Sequence, residues 1–370
     1  MRWLSSSDTN MKLRLSRLLL KMGYFVRRNV PVSTYTPGEF ATRRVDITDI
    51  DVLGARWDED LRLDRMVCEC KSGMKAKPLD RCFWLSGVMH YFGARKGYLV
   101  VKEAGTIPGS IGEAMNVTVV DETFLSDLEK RYDIDANRWV GYCSAELDQK
   151  IVEYRKTLKE VFRPQLNYVV YGYWKDPEYY QLKRLLAASR EIASKLQSSE
   201  AMRWFSLESL CLLTSSLVTF CHKLYVTQAS KVPEETSKQL FGGFISKAER
   251  EGIARSAIRF MESYVEAKYQ EKFPLRPEDM TLDPEYIEKL VELVSRLVSR
   301  PHQTRVLPLF MDIVCFEFLH KGTALSKEEL SKYISDHDVF MLAKLAKNVV
   351  RFYLDSTSTK TNLFDQLLNF

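Results

Sequence analysis

An α/β unit followed by an all-helical region is the fold class that this sequence predicts, and three observations predict it. Before about residue 145, short β-branched runs alternate with stretches of helical spacing. Beyond it, nearly every window repeats its apolar residues at intervals of three and four, and Gly and Pro become sparse punctuation. With 370 residues the chain is too long for one compact core. The expected units are residues 1–145 and 146–370, the second dividing near 230 or 275.

The elements follow in order. Met11, Leu15, Leu18 and Met22 form an apolar stripe that predicts a first helix over 9–22. Asp8 or Thr9 caps it, Gly23 ends it, and Lys12, Arg17 and Lys21 lie off the stripe. Tyr24 to Val30 reads as a strand, followed by a turn-rich stretch through Pro37 and Gly38. Val45 to Leu53 is a second strand, interrupted by Gly54, and Leu63 to Lys71 is its antiparallel return after the acidic turn Asp58-Glu59-Asp60. A helix over 79–94, strands over 98–101 and 117–120, and a closing helix over 122–131 complete the first unit. In the second, helices are expected near 147–161, 177–196, 205–225, 244–270, 283–299, 305–320, 326–334 and 337–354.

Composition excludes several classes. A chain that is 45% hydrophobic and 28% charged is neither disordered nor collagenous. No apolar run is expected to approach the roughly 20 residues that a membrane helix needs. Met1 to Asn10 lacks the apolar region of a signal peptide, so a cytoplasmic protein with no membrane partner is expected. The 7 cysteines are odd in number and scattered, and the 5 histidines are dispersed. Neither a disulfide framework nor a structural zinc site is expected.

Net charge is only +5, but residues 1–45 carry nine basic and two acidic residues. That bias reads either as an ordinary solvated helix face or as a surface for an acidic polymer. The helical region, with 32 basic and 30 acidic residues, gives no such signal.

The chemistry concentrates in two strands. Side chains two apart share a face of a strand, so Asp49 pairs with Asp51, and Glu69 with Lys71. If the strands form a hairpin, three carboxylates and an amine meet at one end of the sheet. Such carboxylates repel one another unless a positive charge sits between them, and a hard divalent cation with oxygen ligands answers that need. Cys68 and Cys70, which alternate with Glu69, point to the buried face.

Ile50-Asp51-Val52-Leu53-Gly54, a turn, then Val67-Cys68-Glu69-Cys70-Lys71-Ser72-Gly73 resembles the metal-dependent PD-(D/E)XK nucleases. The nearest branch is that of restriction-endonuclease-like proteins and archaeal Holliday-junction resolvases, and the likeness spans roughly residues 8–135. It implies a restriction-endonuclease-like fold, a mixed central sheet flanked by helices. It further implies Asp51, Glu69 and the Cys70 backbone carbonyl as metal ligands, with Asp49 as a further candidate. Lys71 would be the catalytic lysine, and Mg²⁺ the cofactor, with Mn²⁺ as a substitute. The first-helix glutamate of many relatives has no counterpart, since residues 9–38 contain no carboxylate; only Asp8 is near. A second match, Glu266-Ala267-Lys268, falls in a helical pattern, where residues two apart diverge.

The expected activity is hydrolysis of DNA phosphodiesters, in defence against foreign DNA or in repair and recombination. RNA is left open, because no residue reads the sugar. Lys12, Arg43, Arg44, Lys75, Lys77 and Arg81 are the candidate contacts to the nucleic-acid backbone. A homodimer is expected on the ground that cutting both strands takes two sites or one used twice. The competing expectation is an inactive nuclease-like scaffold, with a partner or ligand engaging the helical region. The aromatic run Asn167 to Trp174 reads as packing at the junction, or as a platform for unpaired bases.

Overall fold

The computed structural model describes residues 6–36, 43–73, 77–134, 143–195, 199–270, 283–334, 337–359 and 364. A five-stranded mixed sheet occupies the first part and helices fill the rest. Helix α1 (Ser6–Lys21) leads into β1 (Phe25–Thr36), β2 (Arg43–Trp57) and β3 (Leu63–Lys71). Then come α2 (Pro78–Phe92), β4 (Lys96–Val101), α3 (Thr106–Ala114), β5 (Val117–Asp121) and α4 (Glu122–Arg131). The strands lie in chain order, β1-β2-β3 antiparallel and β3-β4-β5 parallel. The parallel connections are the ones that carry α2 and α3, as a crossover requires.

Both faces of the sheet are covered. Val52, Cys68, Cys70 and Val100 share one buried cluster with Met11, Leu15 and Leu18 of α1. Leu53, Val67, Leu99 and Val101 share the other with Cys82, Leu85 and Met89 of α2. Period-two alternation along β2 and β3 thus sends adjacent residues to opposite layers.

Two strands are longer than the sequence suggests. β1 and β2 stay paired from Phe25↔Ala55 to Thr36↔Arg43, and β2 runs straight through Gly54. Glycine there makes room for a ring: a Cβ on Gly54 would lie 3.0 Å from Tyr24 Cδ1. Helix α3 is an addition, since Gly105, Pro108, Gly109 and Gly112 read as loop composition.

The helical part comprises α5 (Ala145–Val161), α6 (Arg163–Asn167), α7 (Glu178–Lys195), α8 (Glu200–His222), α9 (Val232–Leu240), α10 (Lys247–Tyr269), α11 (Ile287–Val298), α12 (Pro301–Thr304), α13 (Leu307–Lys321), α14 (Lys327–Tyr333) and α15 (Val339–Thr357). Pro233 lies in the first turn of α9, where its missing N–H costs nothing. Helix α8 is long and apolar enough to cross a membrane, with mean hydropathy 1.4 over 18 residues, contrary to the reading of short apolar runs. It is 94% buried over that window, enclosed by α5, α7, α11 and α13.

The sheet and the helices share one continuous core. At the edge strand β1, the buried Arg27 guanidinium reaches Glu208 of α8 at 2.9 and 3.0 Å and Asp312 of α13 at 2.7 Å. Trp57 Nε1 donates to Thr219 of α8 at 2.9 Å, and Arg28 pairs with Asp148 of α5. Tyr173 is buried, its hydroxyl donating to the Leu212 carbonyl at 3.0 Å, and Trp174 packs edge-on against it. The aromatic run therefore ends in the junction between the two parts.

Candidate active site at a fork in the sheet

The pairing of β2 with β3 ends at Val52↔Cys68. Beyond it, β2 continues along β1 while β3 continues along β4. The two strands therefore part, and Asp51 and Glu69 are the first residues past the fork. The Cys70 N–H donates to Asp51 Oδ2 at 2.7 Å, so a side chain takes over a backbone donor at the point where the strands separate.

Both carboxylates are deeply placed, Asp51 4% and Glu69 2% exposed. Burying two such charges is costly unless cations compensate them. Three do. Lys71 Nζ lies 2.7 Å from Glu69 Oε1 and 3.9 Å from Asp51 Oδ2. Arg81, one turn into α2, lies 3.6 Å from the same Glu69 oxygen. Lys12 of α1 lies 2.6 Å from Asp51 Oδ1 and donates at 2.6 Å to Asn29 Oδ1.

Electrostatics follow from that crowding. Burial, with Asp51 nearby, raises the Glu69 pKa to about 7, although Lys71 and Arg81 pull it back. For Lys71 burial acts downward, but the hydrogen bond to Glu69 and the charges of Asp51 and Glu69 outweigh it and the net shift is upward. Lys71 is thus a firmly charged ammonium at neutral pH. Burial raises the thiols of Cys68 and Cys70, which face the core, so neither is a ready nucleophile.

The structure brings together Asp51, Glu69 and Lys71 as the sequence suggests, and adds Arg81, which the sequence offers only as a contact to the nucleic-acid backbone. Asp49 is exposed and enters none of these contacts. Asp8 comes close by another route: its carboxylate accepts the N–H of Ser72 at 3.0 Å and the Ser72 hydroxyl.

Lys12 is the main correction. Expected off the apolar stripe, where it could touch a nucleic-acid backbone, it is 2% exposed and held inside. Among the described residues of that segment, part of the basic bias is taken up in internal ion pairs for the same reason. Arg14 pairs with Glu129, Arg27 with Glu208 and Asp312, and Arg28 with Asp148. Arg44 stays near the surface, 3.0 Å from Asp46 and stacked at 3.7 Å over Tyr171. Lys77 is exposed just before α2. Arg43 is placed only as the backbone start of β2, and Lys75 lies outside the described residues. Asn29, which sequence reasoning missed, carries one signal: a left-handed φ of 52°, a conformation that asparagine tolerates.

The donor set has a definite character. Among the described residues no three His, Cys, Asp or Glu side chains converge as a metal-binding group. The two carboxylates Asp51 and Glu69 form an all-oxygen pair of side chains. That suits Mg²⁺, which keeps several waters, rather than zinc. A separate cavity of about 280 Å³, lined by Leu53, Arg65, Trp174 and Glu178 among others, includes none of the fork residues. Comparison with family models, with curated proteins and with solved structures finds no match to the chain.

Proposed function

We propose that the chain is a metal-dependent nuclease of the PD-(D/E)XK kind, hydrolysing DNA phosphodiester bonds at the fork between β2 and β3. The observation that carries this reading is the meeting of Asp51, Glu69 and Lys71 there, at the end of an antiparallel pair inside a mixed sheet. Asp51, Glu69 and the Cys70 carbonyl would hold Mg²⁺ or Mn²⁺. Bound there, the ion polarises a phosphate and supplies a water of lowered pKa.

The protein's own groups do the rest. Lys71 is 33% exposed, so its ammonium can meet a phosphate oxygen from the solvent side. Its raised pKa makes it a stabiliser of developing negative charge and unfit as a general base at neutral pH. Arg81, at the rim, provides a second cation for the same phosphate. The choice of DNA over RNA rests on the likeness in residues 50–73 alone. A homodimer and a gating or recruiting role for the helices belong to the same proposal.

One observation favours a second reading. Lys12 already neutralises Asp51, as it would in a nuclease-like scaffold that no longer binds metal. The test incubates the purified chain with supercoiled and single-stranded DNA in Mg²⁺, Mn²⁺ or EDTA, beside Asp51→Asn and Lys71→Ala. Cutting that needs metal and is lost in both variants supports the nuclease. Intact DNA together with no metal binding by calorimetry would leave the scaffold.

A further inference from the structure

The fork contains more positive charge than its two carboxylates require. Lys12, Lys71 and Arg81 surround Asp51 and Glu69, and Lys12 is the most enclosed of the three. The Lys12 ammonium sits between Asp51 Oδ1 and Asn29 Oδ1, each at 2.6 Å. Asn29 lies opposite Asp51 in the β1–β2 ladder, between the pairs Arg28↔Val52 and Val30↔Ile50. Asn29 adopts a left-handed φ of 52° within the otherwise continuous strand. Asp51 Oδ2 is meanwhile engaged by the Cys70 N–H. Both oxygens of this carboxylate are therefore occupied before any ion arrives.

We infer that Lys12 is a built-in counter-ion that a divalent cation must displace from Asp51, so that the free protein binds metal weakly. The inference rests on the nuclease reading of the fork and adds a regulation to it. An ammonium and a divalent ion cannot share Asp51 Oδ1 in a buried setting, because their repulsion there is poorly screened. Displaced from Asp51, the ammonium keeps its Asn29 partner. A bound polyanion offsets the charge that the ion adds. Metal affinity consequently rises when nucleic acid is present, which ties formation of the competent site to the substrate.

Two measurements test this, neither of them an activity. Calorimetry follows Mn²⁺ binding to the full chain and to Lys12→Met and Lys12→Arg, with circular dichroism checking each fold. Lys12→Met is expected to bind about tenfold tighter or more, the effect of removing a unit charge next to the ion. Lys12→Arg, which keeps the charge, is expected to show no such gain. Equal or weaker binding by a folded Lys12→Met overturns the inference and leaves the metal reading standing. Absence of binding by every form, at millimolar Mn²⁺, overturns both.

The second measurement needs no substitution. Lysine side-chain ¹⁵N NMR of the unaltered chain reports the enclosed Lys12 ammonium through its slow exchange with water. Titrating Mg²⁺ is expected to shift that signal and weaken its protection. An unchanged signal at saturating Mg²⁺ overturns the displacement.

Discussion

Replacing Arg27 with methionine removes a cation that two buried carboxylates share. Arg27, Glu208 and Asp312 have side chains 5%, 7% and 1% exposed, so solvent screening offers no discount. The guanidinium is bidentate to Glu208, bonds Asp312 and the Val26 carbonyl, and lies 4.1 Å over the Phe25 ring. Breaking one buried ion pair costs about 3–5 kcal/mol, because the remaining charge is left uncompensated. Arg27→Met strands two carboxylates at once, which puts the expected loss near the top of that range, about 5 kcal/mol. That is a large part of the 5–15 kcal/mol by which domains are typically stable. Urea unfolding followed by both circular dichroism and tryptophan fluorescence measures it, provided the two transitions coincide. The triple variant Arg27→Met, Glu208→Leu, Asp312→Leu removes all three charges and is expected to recover most of the loss. A single variant within about 1 kcal/mol of the parent chain would refute the argument. So would a triple variant less stable than the single one.

Two further predictions concern stability elsewhere. Burial raises the Glu317 pKa from 4.5 to about 7, against the pull of Lys321. The folded state therefore holds a proton that the unfolded state releases, and stability falls as pH rises from about 4.5 through about 7 and is level above. Glu317→Gln should flatten that slope in urea midpoints taken at pH 5 and pH 8, while Asp312, raised by burial to about 6, leaves a residual slope of the same sign; an unaltered slope would count against the assignment. In α3, a Cβ on Gly112 would fall 2.6 Å from the Val117 carbonyl oxygen, whereas one on Gly109 meets nothing within 4 Å. Gly112→Ala should cost roughly 1–3 kcal/mol, and Gly109→Ala should gain about 0.4–1 kcal/mol; thermal melts in which the two change together would show that α3 does not pack this way.

Much of the architecture was legible because burial imposes periodicity. The apolar stripe of α1 and the helix over 122–131 follow from which faces are covered. The pair Asp51 and Glu69, with Lys71, was legible because a two-residue period in strands fixes relative side-chain direction. What escaped has a common cause: it depends on partners distant in sequence. Gly54 reads as a strand end until Tyr24 is seen to need its space. Lys12 reads as a solvent-facing lysine, since nothing local shows that Asp51 lies 2.6 Å away. Arg27 and Arg28 look like half of a basic surface because their carboxylates come 120 residues or more later. A charge count over a window cannot tell a solvated patch from a set of internal ion pairs.

Two buried clusters, each built on a pair of carboxylates, differ in their counter-charges and in what surrounds them. In the Arg27 cluster every charged side chain is enclosed, its partners come from three elements, and the guanidinium is sandwiched between Phe25 and Phe316. Charge there serves only to join the sheet to α8 and α13. At the fork the carboxylates are just as deep, but two of their cations, Lys71 and Arg81, have side chains 33% and 39% exposed. An anion approaching from solvent therefore meets these positive groups first and the carboxylates behind them. A buried ion pair adds little stability over an apolar pair of the same volume. Stability alone therefore does not account for two buried acids at the fork, where leucine and valine would pack as well. Their placement behind half-exposed cations is what the proposed phosphodiester chemistry would use, and it separates the fork from the enclosed cluster that joins the sheet to the helices.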